Sequence, residues 1–201
     1  MATFLQMKTR IASELQRSDI ATQIGECINT AANHYMRYPF WFNQTSATQN
    51  TVSGTAGYNW PSDMMQLDSL TITVSGSVYV LRQVSPREID EMFVSSTETG
   101  VPSVFAMYKQ QFRLYPTPNG VYTLSQYYTK SYTALSADAD TNVWTTEAEE
   151  LTRTRAKKLI CAQVRREWEA VKFYDELENE VFSSLQRQTI ADTTTGVMKA
   201  W

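Results

Sequence analysis

The chain has 201 residues, of which 42% are hydrophobic, 19% are charged and 12% are aromatic, and its formal net charge is −3. This length and composition suit one compact domain, or two small ones, with ample core material. A weakly acidic chain is not expected to attract nucleic acid through its overall charge, and no apolar run approaches the roughly 20 residues that a membrane-spanning helix needs.

The N-terminus and the cysteines indicate where the chain is made. The segment MATFLQMKTR has neither the long apolar core nor the small-residue cleavage site of a signal peptide. Cys27 and Cys161 lie far apart in helix-like patterns, which favours buried free thiols. We therefore expect intracellular synthesis.

Two helices are predicted before Pro39. The first has apolar residues at the three- and four-residue spacing of one helix face, namely Phe4, Met7, Ile11 and Leu15. Ser18 and Asp19 are candidate caps of the second helix. Its apolar stripe comprises Ile20, Ile24, Cys27, Ile28, Ala31, Tyr35 and Tyr38. Pro39 ends the pattern, because the residue before a proline disfavours the helical conformation.

Residues 40–145 have the pattern of a β domain. Gly, Pro, Ser, Thr and Asn separate short runs of strand-forming residues, and LDSLTITVSGSVYVLRQV predicts a hairpin about a Ser-Gly-Ser turn. The segment SVFAMYKQQFRLYPTPNGVYTLSQYYTKSY predicts about three more strands. Between them, Ser85, Pro86 and Glu88 have the pattern of a capping box that begins a short helix near residues 86–93.

Residues 146–189 are predicted to be helical again. Thr146 and Glu149 form a second capping-box pattern. Two successive apolar stripes follow at helical spacing, one of Ala156, Ile160, Val164, Trp168 and Val171, the other of Tyr174, Leu177, Val181 and Leu185. Because the segment is longer than an ordinary globular helix, we expect a break between Val171 and Tyr174.

Together these patterns predict an α+β fold. Residues 1–39 and 146–189 would form one discontinuous helical bundle, and residues 40–145 an inserted antiparallel β-sandwich or barrel-like domain. The C-terminal helices are densely charged but nearly neutral, with pairs at helical spacing such as Glu149–Arg153. Residues 190–201 are expected to form an extended tail.

Two segments have partial metal-site patterns. His34, the only histidine, follows Cys27 by seven residues, but zinc sites usually need three or four protein ligands, which favours a core or interface histidine. The segment DADTNVWTTEAE places four side chains at ligand positions of a calcium loop: Asp138, Asp140, Asn142 and Glu149. The glycine that such a loop needs for its sharp turn is replaced by Val143. We therefore predict no metal and no cofactor.

The sequence lacks a signature of catalysis. The carboxylates of the predicted β domain, such as Asp63, Asp68, Glu88 and Glu91, carry no mark of an acid–base pair, and a hydrolase that uses strand carboxylates is the least favoured alternative. In MYKQQFRLY, aromatic residues alternate with basic ones, but Lys109 and Arg113 alone are a weak base-stacking platform. We expect a protein that is not an enzyme.

The order of the segments resembles a known family. A helix pair ends in YPFWFN, the segment GYNWPSDMMQLDSL precedes a strand, RLYPTPNGVYTLSQYY and DTNVW follow, and long charged helices end the chain. This order, over about residues 3–190, resembles the head–tail adaptor (head-completion or connector) proteins of tailed bacteriophages, especially short-tailed ones.

The resemblance implies a structural virion protein without enzymatic activity or cofactor. Such adaptors are made in the host cytoplasm and form a ring, usually of twelve copies, in the neck between the capsid portal and the tail or nozzle proteins. Genomic DNA passes through the ring without sequence-specific binding, no membrane is involved, and the C-terminal segment often reaches the portal. High Tyr, Trp, Phe and Met contents also suit subunit interfaces.

Two groups of residues are candidates for assembly. Tyr38, Phe40, Trp41 and Phe42, here called the hinge cluster, would lie where the helical bundle meets the β domain, with Phe40 and Phe42 on one strand face and Trp41 on the other. The charge-free run after them would line a subunit or tail contact, or be a surface strand. In the tail, the candidate portal anchor comprises Val197, Met198 and Trp201.

A different virion component is the main alternative function. The same β domain would suit a tail-terminator or a carbohydrate-binding module of the tail, in which exposed aromatic side chains would line a sugar groove. Binding to glycans would distinguish this alternative from an adaptor.

Overall fold

The computed structural model describes residues 2–95 and 98–194, with side chains through residue 192. The helices are α1 (Phe4–Glu14), α2 (Ala21–Tyr35), α3 (Pro86–Ser95), α4 (Val143–Thr146), α5 (Glu149–Ile160) and α6 (Trp168–Thr194), with a π-helical turn at Cys161–Arg165. The strands are β1 (Gln44–Asn50), β2 (Gly57–Asn59), β3 (Met64–Val74), β4 (Ser77–Val80), β5 (Arg82–Gln83), β6 (Thr99–Gly100), β7 (Val104–Tyr108), β8 (Gln111–Tyr115), β9 (Thr117–Pro118) and β10 (Thr123–Lys130).

The chain divides into two compact units. The helical unit contains the residues up to Asn43 and those from Ser131 onward, and the β unit contains Gln44–Lys130. This arrangement confirms the predicted α+β class, with helices from both chain ends around a sheet-rich middle. The boundaries lie inside the expected range of 40–145, because residues 40–43 and 131–145 belong to the helical unit.

The core of the helical unit joins the two ends of the chain. Side chains from α1, α2 and α5 form one buried cluster, which includes Met7, Ile11, Ile24, Ile28 and Ile160. Helix α1 starts with a capping box in which Thr3 and Gln6 satisfy each other's backbone N–H groups. The apolar stripes predicted for α1 and α2 therefore face a shared core.

The segment that returns from the β unit is fastened to α2 by one amide side chain. Asn29 donates from Nδ2 to the carbonyl oxygen of Leu135 at 2.9 Å, and its Oδ1 accepts from the Leu135 N–H at 2.9 Å. Asp140 then accepts from the backbone N–H groups of Ser136 and Ala137, both at 2.8 Å, and these bonds lower the pKa of its carboxyl. These local bonds explain why residues 131–145 belong to the helical unit.

Three predicted helix boundaries are wrong. Helix α2 begins after Ile20 without a side-chain cap, because Asp19 accepts two hydrogen bonds from Arg17 at 2.7 Å instead. The capping box expected at Thr146 lies four residues earlier, where Asn142 and Thr145 begin the short helix α4.

The break in the C-terminal helices also precedes the expected position at Val171. It lies at the π-helical turn and at Arg166, which has a left-handed backbone with φ of 57°. After it, α6 continues to Thr194, so residues 190–194 are helical rather than extended.

The β unit is a sandwich of two four-stranded sheets. The first sheet has the order β1-β10-β3-β4 and is antiparallel throughout, and the second has the order β2-β8-β7-β5. In the second sheet the pair β5–β7 is parallel, as is the separate pair β6–β9, so the unit is not purely antiparallel as predicted. Both sheets contribute to one core, which includes Leu70, Ile72, Leu124, Phe105, Phe112 and Leu114.

Two local predictions in the β unit are confirmed. Strands β3 and β4 form the predicted hairpin, in which Val74 pairs with Ser77. The two turn residues, Ser75 and Gly76, both have positive φ, which is the conformation of tight hairpin turns. Ser85 accepts from the Glu88 N–H at 3.1 Å and so caps α3 as predicted, while the Glu88 carboxylate lies 3.8 Å from Arg82 and does not complete the predicted capping box.

We expect Asn29→Ala to destabilise the helical unit. The substitution removes both partners of the Leu135 backbone, and Leu135 itself is buried, so two polar groups would lose their hydrogen bonds. The expected loss is about 2 kcal/mol in the free energy of unfolding, measured by chemical denaturation. Asn33→Ala, at an exposed position of the same helix, is the control and should change little. Equal stability of the two variants would contradict this prediction.

Candidate assembly site

The hinge cluster belongs mainly to the core of the helical unit. Phe40 and Phe42 are buried and stack at 5.2 Å between ring centroids, and Trp144 meets Phe42 edge-on at 5.5 Å. Trp41 is half-buried and meets Phe42 edge-on at 5.6 Å. Phe40 and Phe42, in the most apolar run of the sequence, are therefore part of the core of the helical unit.

The predicted strand geometry of this cluster is wrong. Residues 41–43 form a turn, and β1 starts only at Gln44. Phe40 and Phe42 lie together because the turn stacks their rings, and not because strand residues alternate. Asn43 is buried and donates to the carbonyl oxygen of Tyr38 at 2.8 Å, which fixes the turn just before the chain enters the β unit.

One member of the cluster is accessible. Tyr38 is 41% exposed, and its ring meets Phe182 of α6 edge-on at 5.1 Å. Tyr38, Pro39 and Phe40 line a mainly apolar groove of about 340 Å³ with three residues of α6, namely Gln186, Thr189 and Ile190. The hinge cluster thus has a buried part and a part on the surface.

A buried carboxylate holds α6 against α2 and α5. Glu178 of α6 accepts a short hydrogen bond from the Tyr35 hydroxyl, and a charged hydrogen bond from Arg155 at 2.5 Å. Its second oxygen accepts from Lys158 at 3.0 Å, and Lys158 also reaches Asp175 at 2.5 Å. Each ionic group at this site therefore has a partner of opposite charge.

The pKa shifts at this site follow from burial and hydrogen bonding. Burial alone would raise the pKa of the Glu178 carboxyl, but the bonds from Tyr35, Lys158 and Arg155 outweigh it and the pKa is lowered. Burial and the bond to Glu178 raise the pKa of the Tyr35 hydroxyl. The carboxylate is therefore charged in the folded protein at neutral pH.

A second set of ion pairs joins α1 to α5. Glu14 accepts from Arg153 and from Lys157, both at 2.7 Å, and Arg10 pairs with Glu149. The pair expected along the helix between Glu149 and Arg153 is therefore replaced by two pairs between the chain ends. Glu149, Arg153 and Lys157 of α5 therefore pair with side chains of α1 and not with one another.

The candidate calcium residues have other roles. Asp140 and Asn142 bind backbone N–H groups, while Asp138 pairs with Lys8 at 2.6 Å and Glu149 with Arg10. Within residues 2–95 and 98–194, no group of three or more His, Cys, Asp or Glu side chains is arranged to hold a metal ion.

The histidine and the cysteines are not arranged as a site. His34 is exposed and meets Tyr35 edge-on at 4.8 Å, so it is not a core histidine, and the alternative of an interface histidine stays a prediction. Cys27 and Cys161 are buried and free, as predicted, and burial raises the pKa of both thiols. None of the helices in the described part of the chain is long and apolar enough to cross a membrane.

The carboxylates of the β unit have structural partners. Asp63 accepts from the Tyr128 hydroxyl at 3.0 Å and lies 3.4 Å from the ammonium of Lys130. Glu91 pairs with Arg87 at 3.0 Å, and Glu88 lies 3.8 Å from Arg82. Burial raises the pKa of Asp68.

The candidate base-stacking residues are also engaged. Arg113 pairs with Asp90 and stacks over Phe93 at 4.3 Å from the ring centroid. Lys109 lies 5.2 Å from the ring centroid of Tyr108. The two cations thus do not form an open platform for bases.

Sequence periodicity missed the large apolar side chains that the helical unit exposes. Trp168 is 67% exposed and Phe173 is 61% exposed, although the predicted stripe placed Trp168 in the core. The π-helical turn and the left-handed Arg166 change the phase of the helix between Ile160, which is buried, and Trp168. No glycine or proline marks this break in the sequence.

These features define an α+β protein in which both chain ends build one ion-paired helical unit and the middle of the chain forms a β-sandwich. Residues 2–198 match the SU10 adaptor protein family, and the chain belongs to that family. This membership confirms the resemblance to head–tail adaptors of tailed phages. The family is structural rather than catalytic, and the protein is a phage adaptor and a virion component. No curated protein matches the sequence.

The candidate portal anchor was predicted at the C-terminus. Its members Val197, Met198 and Trp201 lie outside the described residues, so this assignment stays a prediction.

We expect Glu178→Gln to lower the melting temperature at pH 7. It leaves Arg155 and Lys158 without their shared carboxylate, and breaking a buried ion pair costs about 3 kcal/mol. Because the folded-state pKa lies below the ordinary value of 4.5, the stabilisation is complete above that value and is lost as the pH falls through the folded-state pKa.

The difference in melting temperature between wild type and Glu178→Gln should therefore narrow below pH 4.5. Thermal melts across this range measure it, with Glu176→Gln at an exposed position of α6 as the control. A difference that stays constant as the pH falls would contradict an ionised carboxylate as the cause.

Proposed function

We propose that this protein is the head–tail adaptor that forms a ring beneath the portal, in the neck of the virion. The ring, of twelve copies by analogy with the family, joins the capsid to the tail or nozzle proteins and continues the DNA channel. In this role the chain has no enzymatic activity and takes no cofactor.

The observation that carries the proposal is the extent of the family match. It covers residues 2–198, and so includes both the helical unit and the β unit. The match therefore supports an adaptor role for both units and not for one of them alone. The same observation favours this role over a tail-terminator or a sugar-binding module.

The charge distribution suits a DNA conduit. The chain has a net charge of −3, and the cations of α5 lie in ion pairs with the carboxylates of Glu14, Glu178 and Asp175. Duplex DNA that must slide through a channel should meet few free cations, because each phosphate contact adds affinity. Genomic DNA is therefore expected to pass without sequence-specific binding.

Exposed aromatic side chains support contacts between copies. Tryptophan and other aromatic residues are enriched in the cores of protein interfaces, and Trp168 and Phe173 are more than half exposed. A ring subunit would bury these side chains against its neighbours or the portal.

The hinge cluster and the C-terminal residues complete the proposal. Phe40 and Phe42 are buried, so the chain leaves the helical unit from a fixed point at Asn43. Val197, Met198 and Trp201 would anchor the adaptor to the portal.

We expect Trp168→Ala to prevent ring assembly on the portal without loss of stability. The side chain is exposed, so its removal leaves no cavity, but it would remove an interface anchor. Electron microscopy of portal mixed with adaptor should show an added ring for wild type and none, or an incomplete one, for the variant.

Two variants control this experiment. Lys172→Ala, at an exposed position of the same helix, should assemble normally. Trp144→Ala removes a fully buried tryptophan and should cost about 3–5 kcal/mol in the free energy of unfolding. A Trp168→Ala ring like that of wild type would exclude this side chain from assembly, and a portal without an added ring for wild type would contradict the proposed function.

We expect a chain that ends at Thr194 to bind the portal at least tenfold more weakly. The truncation removes the candidate anchor residues and retains all of α6. Binding is measured with portal particles, and a full-length chain with Trp201→Ala isolates the largest anchor. Undiminished binding of both variants would exclude a C-terminal anchor.

A further inference from the structure

Among residues 2–95 and 98–194, the first sheet of the β unit has an unpaired edge on each side. In the order β1-β10-β3-β4, strands β1 and β4 each have a neighbour on one side only. The apolar side chains of β4 are exposed to solvent: Val78 is 64%, Tyr79 is 55% and Val80 is 74% exposed. β-branched and aromatic residues in such positions are ordinarily covered by another strand or a layer of side chains.

Neither edge carries a proline or a charged side chain, which are two of the features that natural proteins use to block pairing. Strand β4 reads SVYV and β1 reads QTSATQN, so both lack proline and any charged side chain. Exposed edges are usually protected by lysine, proline, a bulge or a covering element. Two uncharged, proline-free edges on one small sheet are suited to pair with a further strand each.

The register shows which backbone groups of β4 are open. The Leu81 N–H donates to the Leu70 carbonyl oxygen at 2.9 Å, so this pair is hydrogen-bonded. Hydrogen-bonded and non-hydrogen-bonded pairs alternate along an antiparallel ladder. Tyr79 therefore bonds to β3, while Val78 and Val80 direct their N–H and C=O groups away from the sheet.

The same reasoning applies to β1. The Thr51 N–H donates to the Tyr122 carbonyl oxygen at 2.8 Å, so Gln49 and Ala47 bond to β10. Ser46 and Thr48 then have their backbone groups on the open side, together with Asn50.

The two open edges match each other in direction and in face. Because the sheet has an even number of antiparallel strands, β1 and β4 run in opposite directions. Ile72 faces the core and pairs with Tyr79, so Val78 and Val80 lie on the opposite face of the sheet.

Strand β1 has the same division of faces. Leu124 faces the core and pairs with Gln49, which places Ser46 and Thr48 on the same outer face as Val78 and Val80. The β4 edge of one copy and the β1 edge of the next can thus continue one antiparallel sheet without turning either face over.

We propose that neighbouring adaptors pair edge to edge, β4 of one copy antiparallel to β1 of the next. Val78 and Val80 then lie opposite two of the outward residues of β1, and their backbone groups complete the ladder. The contact joins two different surfaces of the same chain, so it repeats head to tail and closes into a ring when the rotation per copy permits. This inference rests on the proposed ring function.

A second copy fits β4 better than a strand from a tail protein. A tail protein that paired with β4 would leave β1 open, whereas head-to-tail pairing covers both edges at once. Both strands are uncharged, so no charge is buried when they meet.

Val78→Pro tests the pairing. Proline removes an N–H that points away from the sheet, so the β3–β4 hairpin keeps its bonds, while the ladder to the next copy loses one. Val78→Ala is the matched control, because it shortens the same side chain and keeps the N–H. We expect rings on the portal for wild type and Val78→Ala, and at least a tenfold loss of rings for Val78→Pro with a melting temperature close to that of Val78→Ala.

The outcomes separate this inference from the proposed function. Rings with Val78→Pro as abundant as with wild type would overturn the strand pairing and leave the adaptor ring intact. An equal loss of rings with Val78→Pro and Val78→Ala would overturn the strand pairing in favour of a contact made by the Val78 side chain. The absence of rings for wild type would overturn the proposed function itself.

Cross-linking provides a readout that does not depend on the stability of the proline variant. Thr48→Cys and Val78→Cys variants are made separately, and the native cysteines are buried. Head-to-tail pairing predicts disulfide-linked dimers in assembled rings only when the two variants are mixed. Dimers from Val78→Cys alone would indicate β4–β4 pairing and would overturn the inference. The absence of dimers from assembled mixed rings would overturn it as well. Ser46→Cys and Asn50→Cys, each mixed with Val78→Cys, test the other registers of the β4–β1 pair.

Discussion

The fold depends on one constraint: the segment that enters the β unit and the segment that leaves it must lie side by side. In the β unit the entry and exit are neighbours, since β1 and β10 pair from Gln44–Thr129 onward. In the helical unit, the segment before Gln44 and the segment after Lys130 also meet, because the Tyr132 hydroxyl donates to the Phe42 carbonyl oxygen at 3.5 Å. An insert whose ends lie side by side does not force its host apart, and each unit can keep its own core.

Electrostatic pairing distinguishes the helical unit from a simple apolar bundle. Glu14 and Glu178 each hold two cations of α5, from opposite ends of the chain. Buried ionic groups add little net stability compared with apolar packing, but they penalise any arrangement that leaves one of them unpaired. The pairs therefore specify how α1 and α6 are aligned along α5, which apolar stripes alone leave open.

Periodicity and turn chemistry predicted the architecture, while details set by tertiary contacts were missed. The spacing of Phe4, Met7 and Ile11 and the Ser-Gly turn before β4 are local signals, and both were interpreted correctly. Asp19 and Thr146 also had the right chemistry for caps, but Asp19 binds Arg17 and the chain starts its helix at Asn142. A residue with two possible partners cannot be assigned from its neighbours in sequence.

The candidate assembly residues divide in the same way. The apolar character of Phe40 and Phe42 was evident, but their burial in a turn depends on Trp144, about a hundred residues further along the chain. The exposure of Trp168 could not be predicted, since a π-helical turn has no fixed sequence signature. The bare β4 edge likewise becomes visible only once strand order is known.

The π-helical turn has a consequence for how α5 and α6 divide their work. An uninterrupted helix would have one apolar face along its whole length, and every large side chain on that face would be buried in the monomer. The π-helical turn and the left-handed Arg166 change the phase of the helix, so that the buried Ile160 is followed by the exposed Trp168, while Val171 and Tyr174 pack on the core again. The side chains that build the core and the exposed ones that the proposed ring would bury are thereby different residues within one stretch of helix.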